Sequence, residues 1–492
     1  MIDLTINKEN LDQNIQKARE NNVILPTFSQ MRFPEKNVPE QIKDKLKDVG
    51  LWDINPLNLF RITWKNERKK TGGLYGRPNF IQLPSALTGV DAKIICMVGK
   101  FFPTGCHKVG ASFGCLVPRL VTGQFNSATT KAVWPSTGNY CRGGAFNSKL
   151  LACESVAILP EGMSRERFDW LRTIAGEIIA TKGTESNVKE IFDKTNELRA
   201  SRKEIMIFNQ FEEMGNYLWH YQVTGTAISE AFSDLVSDTG EHLNLAGMCL
   251  MSGSAGSLAA GDYLKQTHPQ FKIAVGEALQ CPTVLNNGFG DHRIEGTGDK
   301  HIPWVHNVRN TDMGIAIDDN DAMALLRLFN EPDGKEFLTK EIGMSNEDVE
   351  NLAFMGISGI SNMLCAIKFA KYYELTSNDV VATVLTDSVE MYMSRIEELT
   401  ENEGAYTPIK AAIDYQAHLQ AIKTDNLIEL TYPERKRVHN LKYYTWVEQQ
   451  GRCADELNDQ WYRQDKSFES VQTQAEQVDE LINEFNEAVG LV

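Results

Sequence analysis

The sequence contains no run of about eighteen apolar residues, the length a helix needs to cross a bilayer, so no membrane span is expected. Its first residues, MIDLTINKENLDQN, lack the basic-then-apolar pattern of a secretory signal. Positive charge is short: 50 Lys and Arg face 66 Asp and Glu, for a net charge of -16. That excludes the basic footprint on which nucleic-acid binding rests and argues against an anionic membrane surface. The nine cysteines form no CxxC pair and no Cys/His cluster with zinc-finger spacing, so no metal site is expected. They read as reduced thiols of a cytoplasmic protein. Cys106 and Cys141 stand apart, because they fall inside motifs discussed below. Internal repeats and low-complexity tracts are missing too.

What is present is an ordinary globular mixture, 42% hydrophobic and 24% charged over 492 residues. Short apolar runs at Ala92–Met97, Ser155–Leu159, Glu204–Phe208, Leu243–Leu250, Lys272–Val275 and Val380–Leu385 read as buried strands. Longer amphipathic stretches lie between them, such as Arg165–Ile179 and Val188–Ala200. Strand–helix alternation predicts an α/β fold of parallel sheets covered by helices. Ligands in such folds bind beyond the carboxyl ends of strands. The ends differ from this middle. Residues 1–50 are polar, and residues 403–492 read as an acidic helical extension. The last helix carries an apolar stripe at Val471, Ala475, Val478, Ile482, Phe485 and Val489. Docking on its own chain is the preferred reading, with another subunit as the alternative.

Three motifs follow strands. The first is Pro103-Thr104-Gly105-Cys106-His107-Lys108, with small residues after it. A lysine is usually a solvated charge, but this one sits where a helix N-terminus should face a crevice. The second is Pro135-Ser136-Thr137-Gly138-Asn139, after the run Lys131–Trp134. Its hydroxyl and amide residues suit a helix cap, and the same helix end can hold a carboxylate. The third is Ser252-Gly253-Ser254-Ala255-Gly256-Ser257, after Leu243–Met251. Glycines there let backbone N–H groups cradle an anion. The lysine of a nucleoside-triphosphate loop is missing, which leaves a phosphate without a nucleotide, or a small-residue helix packed tightly on the sheet.

Taken in order, these motifs resemble the fold-type II pyridoxal-phosphate (PLP) enzymes of the tryptophan synthase β superfamily, most closely cysteine synthase and cystathionine β-synthase. Asn209-Gln210-Phe211, His220-Tyr221 and Thr224-Gly225 are similar to that family's NQF…HY..TG segment. Gly288, His292 to Gly298 and Ile302-Pro303 are similar to its G…H.I.GIG…IP stretch. Gly356 to Gly359 resembles GIS[SC]G, and Thr386-Asp387-Ser388 with Tyr392 resembles PDSGERY. The resemblance runs from about Pro56 to Ser394. It implies two lobes: a smaller one at about 131–208, and a larger one formed by the rest of a core spanning 51–402. It also implies a role for each matching residue. Lys108 forms the Schiff base and moves the α-proton. Asn139 meets the ring oxygen, and Ser358 the ring nitrogen. Gly253, Ser254, Ala255, Gly256 and Ser257 wrap the phosphate, which His107 braces. Ser136, Thr137 and Gly138 hold the substrate carboxylate, and Gly296 lines the ring's edge.

The resemblance breaks at Tyr140-Cys141-Arg142, where cysteine synthases usually carry a small hydroxyl residue after the asparagine. Tyr140 would narrow the substrate site. Arg142 reads preferentially as a surface or phosphate-side charge, and alternatively as a partner for a second acidic group on the substrate. His107 follows tryptophan synthase β rather than cysteine synthase. The implied activity is β-replacement on a small amino acid through an aminoacrylate, with a thiol or sulfide as second substrate. The alternatives are a β-elimination lyase releasing a keto acid and ammonia, and a non-catalytic PLP-binding subunit. The implied assembly is a homodimer.

Overall fold

A computed structural model describes residues 1–68, 75–185, 187–298 and 300–491. Among these are eleven strands: β1 (Phe80–Leu83), β2 (Lys93–Val98), β3 (Lys131–Pro135), β4 (Ser155–Pro160), β5 (Glu177–Thr181), β6 (Ile205–Ile207), β7 (Asn244–Met251), β8 (Lys272–Ala278), β9 (Met313–Ile317), β10 (Asp379–Leu385) and β11 (Leu427–Glu429). They form two sheets, ordered β1-β2-β10-β7-β8-β9-β11 and β5-β4-β3-β6. Every pairing in the smaller sheet is parallel. In the larger sheet only the edge strands β1 and β11 run antiparallel. The central strands are apolar almost throughout and are buried on both faces, as strands of a helix-covered parallel sheet must be. The expected α/β fold with a helical C-terminal region is observed.

Strand order positions the site. The late strand β10 inserts between β2 and β7, so the segments leaving the carboxyl ends of these three strands become neighbours. In the smaller sheet β3 lies between β4 and β6, which pairs the segment after β3 with the one after β6. The helices that matter below are α1 (Lys8–Glu20), α2 (Lys108–Val121), α3 (Asn139–Leu150), α4 (Arg165–Ile174), α5 (Ile357–Tyr372) and α6 (Gln474–Val489). No single helix among the described residues is long and apolar enough to cross a membrane.

Two features depart from the sequence expectations. The stretch Arg165–Ile179 is not one helix: α4 stops at Ile174, and Ala175-Gly176 leads into β5. Glycine weakens a helix and the following Ile178-Ile179 pair favours extended backbone. Strands β1, β5, β9 and β11 lie outside the apolar runs singled out from the sequence, three of them at sheet edges.

The terminal apolar stripe docks on its own chain. Val471, Ala475, Val478, Ile482, Phe485 and Val489 are all buried, and α6 packs against α1 and α2. Polar contacts lock the two ends together. Arg19 donates to the carbonyls of Val489 and Ala488, and Asp479 accepts the N–H groups of Phe28 and Ser29 at 2.6 and 3.0 Å. Burial pushes the Asp479 carboxyl up to about 6. The stripe is thus spent inside the chain and gives no argument for a second subunit.

Candidate active site

Two short 3₁₀ turns carry the chain from β2 to Lys108. Thr104 and Gly105 both take left-handed backbone, at φ 71° and 67°. The strained Thr104 is held by Arg142, whose Nη2 donates to its carbonyl at 2.9 Å. Cys106 Sγ then accepts the Lys108 N–H at 3.4 Å. Lys108 is the first residue of α2. Its Nζ lies 3.1 Å from Ser254 Oγ and 3.3 Å from Gln210 Oε1. Neither partner carries charge, so burial dominates and lowers the ammonium to about 8.

Segments leaving the carboxyl ends of β2, β3, β6, β7 and β10 meet at one small cavity. Lys108, Ser136, Thr137, Asn139, Tyr140, Gly253, Ser254 and Gly296 line it, so residues of all three motifs come together there. Gly138 caps α3 at φ 146°, a conformation that favours glycine. A Cβ there would also stand 2.5 Å from Arg167 Cδ. Ser136 Oγ accepts the Gly138 N–H at 3.1 Å and a Gln210 N–H at 3.3 Å. The Asn139 amide is oriented from both ends: Nδ2 donates to Asp387 Oδ2 at 2.7 Å, and Oδ1 accepts from Arg142 at 3.3 Å.

The loop after β7 turns through a left-handed Ala255, φ 61°. Among the described residues, the N–H groups of Gly253, Ser254 and Ala255 make no backbone hydrogen bond. Ser254 Oγ accepts from both Lys108 and Asn216. Ser358, the second residue of α5, is buried, and its Oγ has no hydrogen-bond partner. That oxygen lies 3.9 Å from where a Cβ on Gly296 would stand, so it faces the cavity wall.

Other expected residues are placed differently. His107 is outside the cavity lining, stacked on Trp64 at 5.6 Å and edge-on to His220 at 5.2 Å. Burial, then the nearby Lys108 charge, keeps its ring neutral. Arg142 is not a surface or phosphate-side charge. It is fully buried, 4.8 Å above the Trp170 ring, and its guanidinium serves Thr104 and Asn139. Burial pushes the Cys106 and Cys141 thiols up to about 12, so they stay protonated.

Several residues given no role from the sequence also take part in the site. Gln210 contacts both Lys108 and Ser136. Arg167 on α4 reaches Glu295, the Tyr392 hydroxyl at 2.8 Å and Asp387 at 3.5 Å. Glu295 also accepts from Arg395 at 2.6 Å. Glu185 lines the cavity as well. Gln210, Glu295, Asp387 and Tyr392 fall in segments that carried the resemblance. Arg167 and Glu185 are joined to the site only by the folded chain.

No family model matches the chain. A probable cysteine synthase from Bacillus subtilis is 24% identical over 325 residues, covering 66% of this chain and 96% of that protein. Cystathionine beta-synthase from Saccharomyces cerevisiae is 24% identical over 324 residues, covering 64% of this chain and 59% of that one. The structure of a hydrogen sulfide-producing enzyme from Fusobacterium nucleatum superposes with a TM-score of 0.55 at 21% identity, over 71% of this chain and 95% of its own. A mutant of that enzyme was solved with an alpha-aminoacrylate intermediate. The homologues are thus cysteine synthases and cystathionine beta-synthase, families that depend on PLP, and the fold is that of the fold-type II enzymes.

Proposed function

We propose that this chain is a PLP-dependent enzyme that replaces the β-substituent of a small amino acid with a thiol or sulfide. The observation that carries the reading is one cavity holding a lysine amine lowered to about 8, a loop of free N–H groups and an asparagine amide clamped in one orientation. These groups fit the cofactor. The N–H groups of Gly253 to Ala255 suit its phosphate, with Gly256 and Ser257 completing the turn. The second N–H of Asn139 suits the ring oxygen. The orphaned Ser358 hydroxyl suits the ring nitrogen, and Gly296 leaves room at the ring's edge.

When bound, PLP supplies an electron sink at the substrate's Cα. A neutral hydroxyl at the ring nitrogen keeps that sink mild, which suits loss of a leaving group from Cβ. The protein's own groups do the rest. Lys108 Nζ is partly unprotonated near neutral pH, so it is the amine that would hold the cofactor and, once displaced by the substrate's own amine, the base that would take the α-proton. Ser254 Oγ and Gln210 Oε1 hold that nitrogen in place between the two tasks. Ser136, Thr137 and Gly138 present hydroxyl and N–H groups at the start of α3, where a substrate carboxylate is favoured. Tyr140 closes the cavity beside them and restricts substrate size.

Replacement requires that water be kept from the activated substrate, and the narrow cavity serves that end. A second cavity shares Glu185 with the first and is bordered by Glu295, Arg395 and His292. It offers the second substrate a way in. The core comprises residues 51–402, with a smaller lobe at about 131–208, flanked by extensions at 1–50 and 403–492. All nine cysteines are unpaired, which agrees with a cytoplasmic setting. The assembly is a homodimer, since closed two-fold pairs are the commonest form; light scattering that finds a monomer refutes it.

The test of function is product analysis on the PLP-loaded protein with O-acetylserine or serine, with and without sulfide. Replacement predicts cysteine only when sulfide is present, and little keto acid without it. Keto acid and ammonia released at the same rate in both conditions would make the chain a β-elimination lyase. No product in either condition overturns the enzymatic reading.

A further inference from the structure

We propose that Asp387 is a positioning residue that sets the two ring contacts of the cofactor site, at Asn139 and at Ser358, in register with each other. The inference rests on the PLP reading above and goes beyond it, since Asp387 itself is not among the residues expected to touch cofactor or substrate. It leaves the end of β10, between the segments from β2 and β7, and it is fully buried.

On one side its Oδ2 accepts the Asn139 N–H at 2.7 Å. An amide can present either its oxygen or its nitrogen to a ligand. Here the carboxylate fixes the nitrogen and Arg142 fixes the oxygen, so Asn139 meets the cavity as a donor. On the other side the Asp387 carbonyl accepts the Gly356 N–H at 2.9 Å. A Cβ on Gly356 would stand 2.0 Å from Asp387 Oδ1. The carboxylate therefore rests on Gly356, the N-cap residue of α5, two positions before Ser358. One side chain thus touches the segments behind both edges of the ring. The Tyr392 hydroxyl donates to Oδ2 at 2.7 Å, and Arg167 lies 3.5 Å from it. These two hold the carboxylate in place and connect it to the smaller sheet through α4.

The experiment compares Asp387→Asn with Tyr392→Phe. The first keeps the size of the side chain, but its amide can pair with Asn139 in either orientation. The second removes a brace on the same oxygen without touching Asn139. Three quantities are read on each purified protein: PLP affinity by titration, the visible absorption maximum of bound PLP, and the thermal midpoint without cofactor. Asp387→Asn is expected to weaken PLP binding roughly tenfold, the effect of one charge-assisted hydrogen bond, and to shift the absorption maximum. It should also lower kcat more than it raises KM for the amino acid, because Ser136 and Thr137 are untouched. Tyr392→Phe is expected to lower the thermal midpoint while leaving affinity within about twofold and the maximum in place. Gly356→Ala, which pushes on Oδ1 from the opposite side, is expected to reproduce the Asp387→Asn shift. If the variants lose thermal stability alike while PLP affinity and the absorption maximum match the parent, Asp387 is merely structural and the inference is overturned. A parent protein that takes up no PLP instead defeats the proposed function, so the two failures are told apart.

Discussion

The lowered pKa of Lys108 can be tested without substrate. An ordinary lysine near 10.5 is unprotonated in only about one molecule in a thousand at pH 7.5. With its ammonium lowered to about 8, Lys108 is unprotonated in about a quarter of molecules at that pH. The amine that attacks is therefore roughly 200-fold more abundant than at a surface lysine. The sign follows from the cause: burial without a carboxylate partner disfavours the charged form, so reactivity rises with pH and levels off above about 8, not above 10. The assay uses cofactor-free protein and follows the growth of visible absorbance on adding PLP, from pH 7 to 10. The cofactor phosphate is already ionised over that range, its second pKa being about 6. Borohydride reduction and peptide mapping then locate the attachment. The expected result is a half-maximal rate near pH 8 with the label on Lys108, and no rapid phase in Lys108→Ala. A midpoint near 10 would show that burial does not control this amine. A label on another lysine would refute the site assignment altogether, and with it the roles given to Ser136, Asn139 and Ser358.

Arg167 is buried and reaches Glu295, Asp387 and Tyr392, so Arg167→Met leaves buried Asp387 without its cation and Glu295 with Arg395 alone. It should cost about 3–5 kcal/mol in urea unfolding, and a loss below about 1 kcal/mol would count against the buried network. Ser254→Ala removes the acceptor shared by Lys108 and Asn216; it should reduce PLP retention by less than roughly tenfold, as neutral hydrogen bonds are worth about 1 kcal/mol each. Gly256→Val should be far worse, because even a Cβ there would lie 2.1 Å from Asn216 Oδ1, and equal cofactor loss in the two variants would contradict this. Asp479 is raised to about 6 by burial, so its folded form binds a proton that the unfolded chain, near 3.8, does not. Stability relative to Asp479→Asn should therefore rise as pH falls from about 7 to 5, and thermal melts that run parallel over that interval would refute it.

The parts of the site legible in the sequence are those that one segment builds by itself. Lys108 follows a strand and starts a helix, Gly138 has a backbone conformation that only glycine adopts readily, and the loop from Gly253 to Ser257 exposes its own N–H groups. Each needs only a run of six or so residues, and each left a motif. Arg142 shows where that kind of reading stops. A lone arginine is most often a surface charge, and nothing adjacent to it reveals that Trp170 covers it or that the strained carbonyl of Thr104 needs a donor. Likewise Gly176 divides a helix from a strand although Arg165–Ile179 keeps an amphipathic pattern through both.

Arg167 lies furthest from what a sequence can reveal, and its position explains why the site needs it. Its partners Glu295, Asp387 and Tyr392 lie between 128 and 225 residues away in the chain. They come from two segments of the larger sheet's half, one holding Glu295 and the other Asp387 and Tyr392, whereas Arg167 itself belongs to α4, between two strands of the smaller sheet. Its side chain also packs under Gly138. The Gly138 turn, the residue before Gly296 and the carboxylate behind Asn139 therefore share one guanidinium. Local motifs can build the loop from Gly253 to Ser257 and the lysine separately, but holding the two sheets' contributions at fixed separation takes a group that spans them. Such a group is under no local pattern, because its identity is set by three distant partners and not by its neighbours in the chain.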